Sequence, residues 1–498
     1  MSKTVDRILS PLVFQVLIVL STALLEVHFI HSAYSRYLKC ILVFGILVCF
    51  WQLIRGNLVA AVKNKAGIAL LCFALLYAFT VVLNNNLLFS QNLKQLVYMV
   101  VFFLLLFAFC EESNSMIVIS AVLTAITFLL SFFSLLTYIL RINEWYIVDD
   151  EKFYIGQMVS STTRFWGLYN PNSCGAIAVV SIIASVYLLF KLVKLSGARR
   201  IILSFAIVLN ILVQYFVLLL SESRGAFYSL AAVIAATVFI GILKLYRKEK
   251  YSAPMRALLA IGLVLISLIC FLTLSAFIQK NTYRFHVVSV DVADNPQSDT
   301  MLEDFIENIL KKYSSESSAF AGVIRANVLA LGNDAFTAVD RGDDGSTGRL
   351  TIWKEGFALF LQKPVFGLTR EGLIELLSER ATSSVDGAFV FNRHSVVSGG
   401  LHNIYLTVLF SSGIVGFISF ILAIGIVLVR FIKNLFVEDR ISMEELFSFA
   451  MCAYFLISEL VESRILYTVS FYNVVFWIYL GYLNYYSLKG KKSDGEKS

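Results

Sequence analysis

Residues 201–243 read IILSFAIVLNILVQYFVLLLSESRGAFYSLAAVIAATVFIGIL. Two apolar runs, 201–220 and 225–243, flank the polar turn Ser221-Glu222-Ser223-Arg224-Gly225. Each run is close to the roughly 20 apolar residues that an α-helix needs to cross a bilayer. The stretch therefore predicts a helical hairpin through a membrane, with a tight turn at one surface.

The same pattern recurs in both directions. Of the 498 residues, 58% are hydrophobic, 15% are charged and 14% are aromatic, with mean hydropathy +0.78. Soluble domains carry roughly 45–50% apolar and about 25% charged residues. An ordinary cytosolic enzyme, a disordered chain and a fibrous repeat are excluded. About twelve spans are expected, near 11–31, 38–54, 66–83, 93–110, 116–140, 172–193, 201–220, 225–243, 257–277, 402–429, 446–462 and 467–487. The expected fold class is an all-α polytopic integral membrane protein with one large extracytoplasmic loop containing short helices. Its parts are nine spans with short loops over 1–277, the large loop over 278–401, three spans over 402–487, and a tail over 488–498.

Net charge is +7, and its placement matters more than its size. Lys3 and Arg7, then Lys191, Lys194, Arg199 and Arg200, then Lys244, Arg247, Lys248 and Lys250, then Arg430, Lys433 and Arg440, and finally Lys489, Lys491 and Lys492 fall on one side of the expected spans. The positive-inside rule makes that side cytoplasmic and places both termini there. No nucleic-acid partner is needed to account for these basic clusters. The first apolar run lacks a small-residue cleavage site at its end, so no cleavable signal peptide is expected. The seven cysteines lie in or beside apolar runs, so no disulfide framework is indicated. All five histidines, His28, His31, His286, His394 and His402, fall toward the outer side. The loop 278–401 holds 12 Lys and Arg against 16 Asp and Glu, too acidic to face an anionic surface. Within it, helical spacing of apolar residues predicts an amphipathic helix over 300–313, and 350–361 and 370–380 read as two more short helices.

Three outer-face segments differ from generic connectors. Arg164-Phe165-Trp166-Gly167-Leu168-Tyr169-Asn170-Pro171-Asn172 leads into a span, with Asn170 as N-cap and Pro171 in the first helical position. The second is the turn around Arg224, and the third is Gly399-Gly400-Leu401-His402-Asn403. Each opens a helix whose N-terminus faces outward, and such ends suit an anion. Arg164, Arg224 and Arg349 add guanidinium groups, which are shaped for forked contact with phosphate. Asn170, Asn172 and Asn403 join them as candidate substrate-binding residues, in a site for a phosphate or diphosphate headgroup. His402, kept neutral, is the candidate general base. Glu459 and Glu462, followed by Arg464, read either as a functional intramembrane pair or as a local ion pair with Arg464. There is no His/Cys cluster for zinc, no Walker loop and no dinucleotide fingerprint, so neither a metal nor a cofactor is expected.

In combination these segments resemble the family of bacterial O-antigen ligases and O-antigen or capsule polymerases. The resemblance runs from about Arg164 to Val415 and rests on Arg164…Gly167…Asn170-Pro171-Asn172, Ser223-Arg224-Gly225-Ala226, Gly348-Arg349…Trp353…Pro364…Gly367, and His402-Asn403…Gly413…Gly416. The spacing from Arg164 to Gly175 is similar to an arginine–glycine motif of the polymerases; a second copy is not found at that spacing from Arg349, Arg370 or Arg393. The resemblance implies a metal-independent glycosyltransferase on the outer face of the bacterial cytoplasmic membrane. Its donor would be a glycan on undecaprenyl diphosphate and its acceptor a sugar hydroxyl, with a flippase and a chain-length regulator of the same pathway as possible partners. Arg224 and His402 would be the catalytic residues, and polymerase is favoured over ligase. A transporter or lipid flippase is the competing class, since twelve spans is a common transporter count; the sequence shows no related halves of the kind transporters carry.

Overall fold

A computed structural model describes residues 2–27, 30–110, 114–140, 142, 144–148, 151–157, 164–193, 196–245, 253–281, 349–383, 400–438 and 441–495. The expected helix over 300–313 lies outside the described residues. The chain is an all-α polytopic membrane protein. Ten helices among the described residues are long and apolar enough to cross a membrane.

The last two expected spans are also helices, Met443–Ser458 and Phe471–Gly495, but they are not among those ten. The first has only 16 residues, about 24 Å at the helical rise, against a hydrocarbon core of about 30 Å. The second carries Asn473, Asn484 and several tyrosines, and every residue from Phe471 to Asn484 is buried. A helix surrounded by protein does not need lipid-compatible composition. Trp477 donates to the Ile465 carbonyl at 3.0 Å, and Asn484 accepts from Arg430 at 2.8 Å.

By its contacts the chain divides into two compact units: Met1–Val19, Cys40–Met116 and Asp343–Ser498 in the first, and Leu20–Lys39 with Ile117–Gly342 in the second. In the second unit, helices Pro171–Leu192 and Gly197–Ser221 pack as a pair, as do Arg224–Leu245 and Ala253–Asn281. Buried polar side chains join the first pair to the helix before it, where Thr127 donates to Ser181 at 2.7 Å and Ser131 to Gln214 at 2.8 Å, and to each other, where Asn210 donates to Ser185 at 2.8 Å. Small and amide side chains of this kind are the usual glue between membrane helices. Three short antiparallel strands, Glu144–Val148, Glu151–Gln157 and Phe165–Gly167, form a sheet that the sequence reading did not anticipate.

In the first unit, Lys65–Leu83 lies along Ile404–Phe436, with the rings of Phe73 and Phe420 5.5 Å apart. The long helix is broken at Gly413 (φ 68, ψ −178). A break leaves backbone amides and carbonyls without helical partners, and at membrane depth protein must supply them. Residues 364–369 do so. Leu368 N–H donates to the Phe410 carbonyl at 3.0 Å and Thr369 N–H to Ser411 at 2.9 Å, while Ile414 N–H donates to Pro364 at 2.9 Å and Val415 N–H to Val365 at 3.3 Å. Both backbones approach so closely that only glycine fits: a Cβ at Gly413 would stand 2.1 Å from the Val365 carbonyl oxygen, and one at Gly367 (φ +76) 2.5 Å from the Gly413 nitrogen.

On either side of this insertion lie helices Arg349–Phe360 and Arg370–Ser383, close to the two short helices expected from sequence. Ile352, Leu359, Phe360, Leu368, Leu373, Leu377, Leu401 and Phe410 bury together and bond the helix pair to the start of Ile404–Phe436. Gly413→Ala is expected to lower the thermal midpoint by the equivalent of at least about 2 kcal/mol, combining a left-handed backbone with a clash. Gly425→Ala, which meets nothing within 4 Å, is expected to be neutral or stabilising by up to about 1 kcal/mol. Equal melting of Gly413→Ala and the parent protein would contradict the insertion.

Candidate functional site

His402 is held in the left-handed region (φ 48), uncommon for a side chain larger than glycine. On one side of it the buried Leu401 carbonyl accepts from Trp353 Nε1 at 2.6 Å. On the other, Asn403 caps Ile404–Phe436 by accepting from Leu406 N–H at 3.0 Å. Asn403 also ties this end to residues 459–470, the non-helical connection that follows Ser458. Its N–H donates to Ser463 Oγ at 2.9 Å and its Nδ2 to the Leu460 carbonyl at 3.0 Å, while Ile404 N–H donates to the Glu459 carbonyl at 3.0 Å.

These bonds bring Glu462 beside His402, with Oε2 3.7 Å from Nδ1. The same carboxylate lies 3.3 Å from Arg464 through Oε2 and 3.8 Å from Arg349 through Oε1. Its side chain is 15% exposed. Burial opposes ionisation of Glu462, but Arg464, His402 and Arg349 outweigh it and hold the carboxyl down at about 2. Glu459 behaves oppositely. Burial pushes its carboxyl up to about 8, although the Arg464 backbone N–H donates to its Oε2 at 2.7 Å. Around Glu462 the cluster sets two guanidiniums, Arg349 and Arg464, against its one carboxylate. That surplus suits an anion. The Arg464 guanidinium also lies 4.7 Å over the Tyr472 ring.

The second unit holds the other candidates. Asn170 caps Pro171–Leu192, with Oδ1 accepting from Asn172 N–H at 2.9 Å and Pro171 in the first turn, as the sequence suggested. Arg164 donates from Nε to the Ser221 carbonyl at 3.1 Å and from Nη2 to Asn172 Oδ1 at 2.5 Å. Ser221 ends Gly197–Ser221, Glu222 turns the chain with φ 49, and the exposed Arg224 begins Arg224–Leu245. A Cβ on Gly175 would lie 2.5 Å from Ser223 Cβ and 3.0 Å from Ala226 Cβ. Arg164 and Gly175, the two ends of the arginine–glycine spacing, thus grip the same turn and set where Arg224 emerges.

The structure gathers His402, Asn403 and Arg349 in the first unit, and Arg164, Asn170, Asn172 and Arg224 in the second. Glu462 is the hub that the sequence reading left between two alternatives. The ion pair with Arg464 is present, and Arg349 and His402 join it. A cavity of about 630 Å³ lined by Asp6, Gln15, Gln52 and Arg55 contains none of these residues. Among the described residues, no three His, Cys, Asp or Glu side chains gather as metal ligands.

Residues 209–421 match a protein-family model described as O-Antigen ligase. That stretch, fewer than half of the residues, is similar to the family so described. It includes Arg224, Arg349, His402 and Asn403 and leaves out Arg164, Asn170, Asn172 and Glu462. Members of that family are membrane glycosyltransferase-like enzymes, and the family implies a lipid-linked glycan and an acceptor as substrates. No curated protein matches the chain.

The raised Glu459 carboxyl has a stability consequence. A group more basic in the fold than in the unfolded chain contributes stability that is present below its ordinary value, near 4.5, and lost as pH rises through about 8. The thermal midpoint of the detergent-solubilised protein is expected to fall between pH 6 and pH 8.5, and Glu459→Gln to flatten that slope. Parallel curves for the two proteins would show that Glu459 is ionised in the fold.

Proposed function

We propose that the protein polymerises a surface polysaccharide, transferring an undecaprenyl-diphosphate-linked glycan to the hydroxyl of an acceptor sugar on the outer face of the bacterial cytoplasmic membrane. The observation that carries this reading is the grouping of His402 with Arg349 and Arg464 around one half-buried carboxylate. In the reaction, the acceptor oxygen attacks the anomeric carbon of the donor, and the bond from that carbon to the diphosphate oxygen breaks. The diphosphate leaves with the electron pair, and the hydroxyl proton passes to His402. Diphosphate is a good leaving group, so the protein needs chiefly fixed cations for the developing charge and a base for the acceptor. Arg349 and Arg224 supply cationic charge. Arg164 supports the Arg224 turn, and Asn170, Asn172 and Asn403 hold the helix starts through which substrate is bound.

The distribution of lysine and arginine supports cytoplasmic termini and an outward-facing site. Neither a nucleotide nor a metal has a part in these steps. The donor arrives already flipped, which assigns a flippase of the same pathway as a functional partner, alongside a chain-length regulator. The description of the matching family favours a second reading, a ligase that moves finished polymer to lipid A core.

The test is the surface polysaccharide of a deletion strain complemented with wild type, Arg224→Ala, Arg349→Ala or His402→Ala at matched protein levels. Each substitution is expected to cost about 10²–10³ in rate, by analogy with loss of one oxyanion-hole donor, and to leave single repeat units in place of a ladder. Full-length polymer retained on the lipid carrier would identify the ligase reaction. Intermediates trapped on the cytoplasmic face would contradict both readings and point to transport.

A further inference from the structure

We propose that Glu462 is the positioning residue of His402: its carboxylate takes the Nδ1 side of the imidazole and leaves Nε2 to receive the acceptor proton. The inference deepens the reading of His402 as general base and rests on it. A base needs its ring held in one orientation and one tautomer, and a carboxylate on the second nitrogen does both.

Three observations place Glu462 in that role. Its Oε2 is the carboxylate oxygen set against Nδ1, at 3.7 Å, and catalytic hydrogen bonds are often long until substrate binds. The backbone around the pair is fixed from both sides by the bonds from Ile404 N–H to Glu459, from Asn403 N–H to Ser463 and from Asn403 Nδ2 to Leu460. The hydroxyls of Thr407 and Ser463, 3.0 Å apart, and the Tyr405 hydroxyl donating to Leu456 at 2.7 Å extend that lock by a helical turn. Finally, the charges of Arg464, His402 and Arg349 favour the ionised form of this half-buried carboxyl. When the acceptor proton arrives on Nε2 the ring becomes a cation among Arg349 and Arg464. Glu462 is the carboxylate that faces it, whereas burial disfavours the ionised form of the neighbouring Glu459.

A residue that merely braced the two arginines would behave differently, because its loss would weaken donor binding. The experiment measures kcat and KM on purified protein in lipid discs, using as donor the lipid-linked repeat units that accumulate in cells lacking the gene. Wild type, Glu462→Gln, Glu462→Asp, His402→Ala and the double variant Glu462→Gln/His402→Ala are compared. Glu462→Gln is expected to lower kcat about 10- to 100-fold, by analogy with carboxylates that orient metal-bound histidines. KM for the donor should stay within about twofold, the signature of an interaction expressed in the transition state. Glu462→Asp, which keeps the charge but is one methylene shorter, should fall between Glu462→Gln and wild type. The double variant should be no slower than His402→Ala, because Glu462 acts through His402.

Wild-type kcat in Glu462→Gln, a loss confined to KM, or a double variant slowed by the product of the single effects would overturn the proposal. If Glu462→Gln does not assemble, Glu462→Asp decides: lowered kcat with unchanged KM supports the proposal, and wild-type kcat overturns it. Wild-type activity in His402→Ala would instead remove the general-base reading itself, and is told apart because it does not involve Glu462.

Discussion

Four backbone hydrogen bonds between residues 364–369 and the break at Gly413 govern the first unit. A helix interrupted in this way has amides and carbonyls that cost about 1–3 kcal/mol each if buried without partners. Here an inserted stretch of chain supplies every one of those four bonds, and its glycine, Gly367, meets the glycine of the break. The insertion is therefore not a loop resting on a finished bundle. The helix needs it in order to break where it does, and the pair Arg349–Phe360 and Arg370–Ser383 is fixed by the same contact.

That constraint reaches the chemistry through short, stiff links. Arg349 begins the helix that leads into the insertion, and Trp353 on that helix donates to the Leu401 carbonyl next to His402. His402 itself adopts a left-handed backbone between a buried leucine and an N-cap asparagine. Such a conformation persists only where the surroundings over-determine it, and it is found at functional sites more often than elsewhere. In the second unit the logic is similar but simpler. Arg164 binds the carbonyl of Ser221, and Gly175 lets Pro171–Leu192 press against Ser223, so two elements grip the turn from which Arg224 projects.

Helical spans were legible because hydrocarbon demands long apolar runs, and the hairpin at 201–243 states that demand plainly. Phe471–Gly495 was harder to bound by the same rule, because a helix enclosed by protein is not under that demand. The strands at 144–167 escaped because runs of three to seven residues carry too few alternations to register as a period. Of the site, the helix starts at Asn170 and Asn403 were readable, since N-cap chemistry is local. The motif glycines were visible as letters only. Gly367 and Gly413 make sense once the chain is folded, because they meet although 45 positions of sequence lie between them. Glu462 was ambiguous for the same reason: its nearest arginine in sequence is Arg464, whereas Arg349 and His402 reach it only through the fold.

The most direct test of the central claim is amide hydrogen exchange on the purified protein in lipid discs, followed by mass spectrometry of peptides spanning 364–369 and 410–415. If the inserted stretch completes the broken helix, the amides of Leu368, Thr369, Ile414 and Val415 exchange slowly and lose protection together when the insertion opens. Rapid exchange of 364–369 beside a protected 410–415 would show that the helix closes its own break, and would contradict the account.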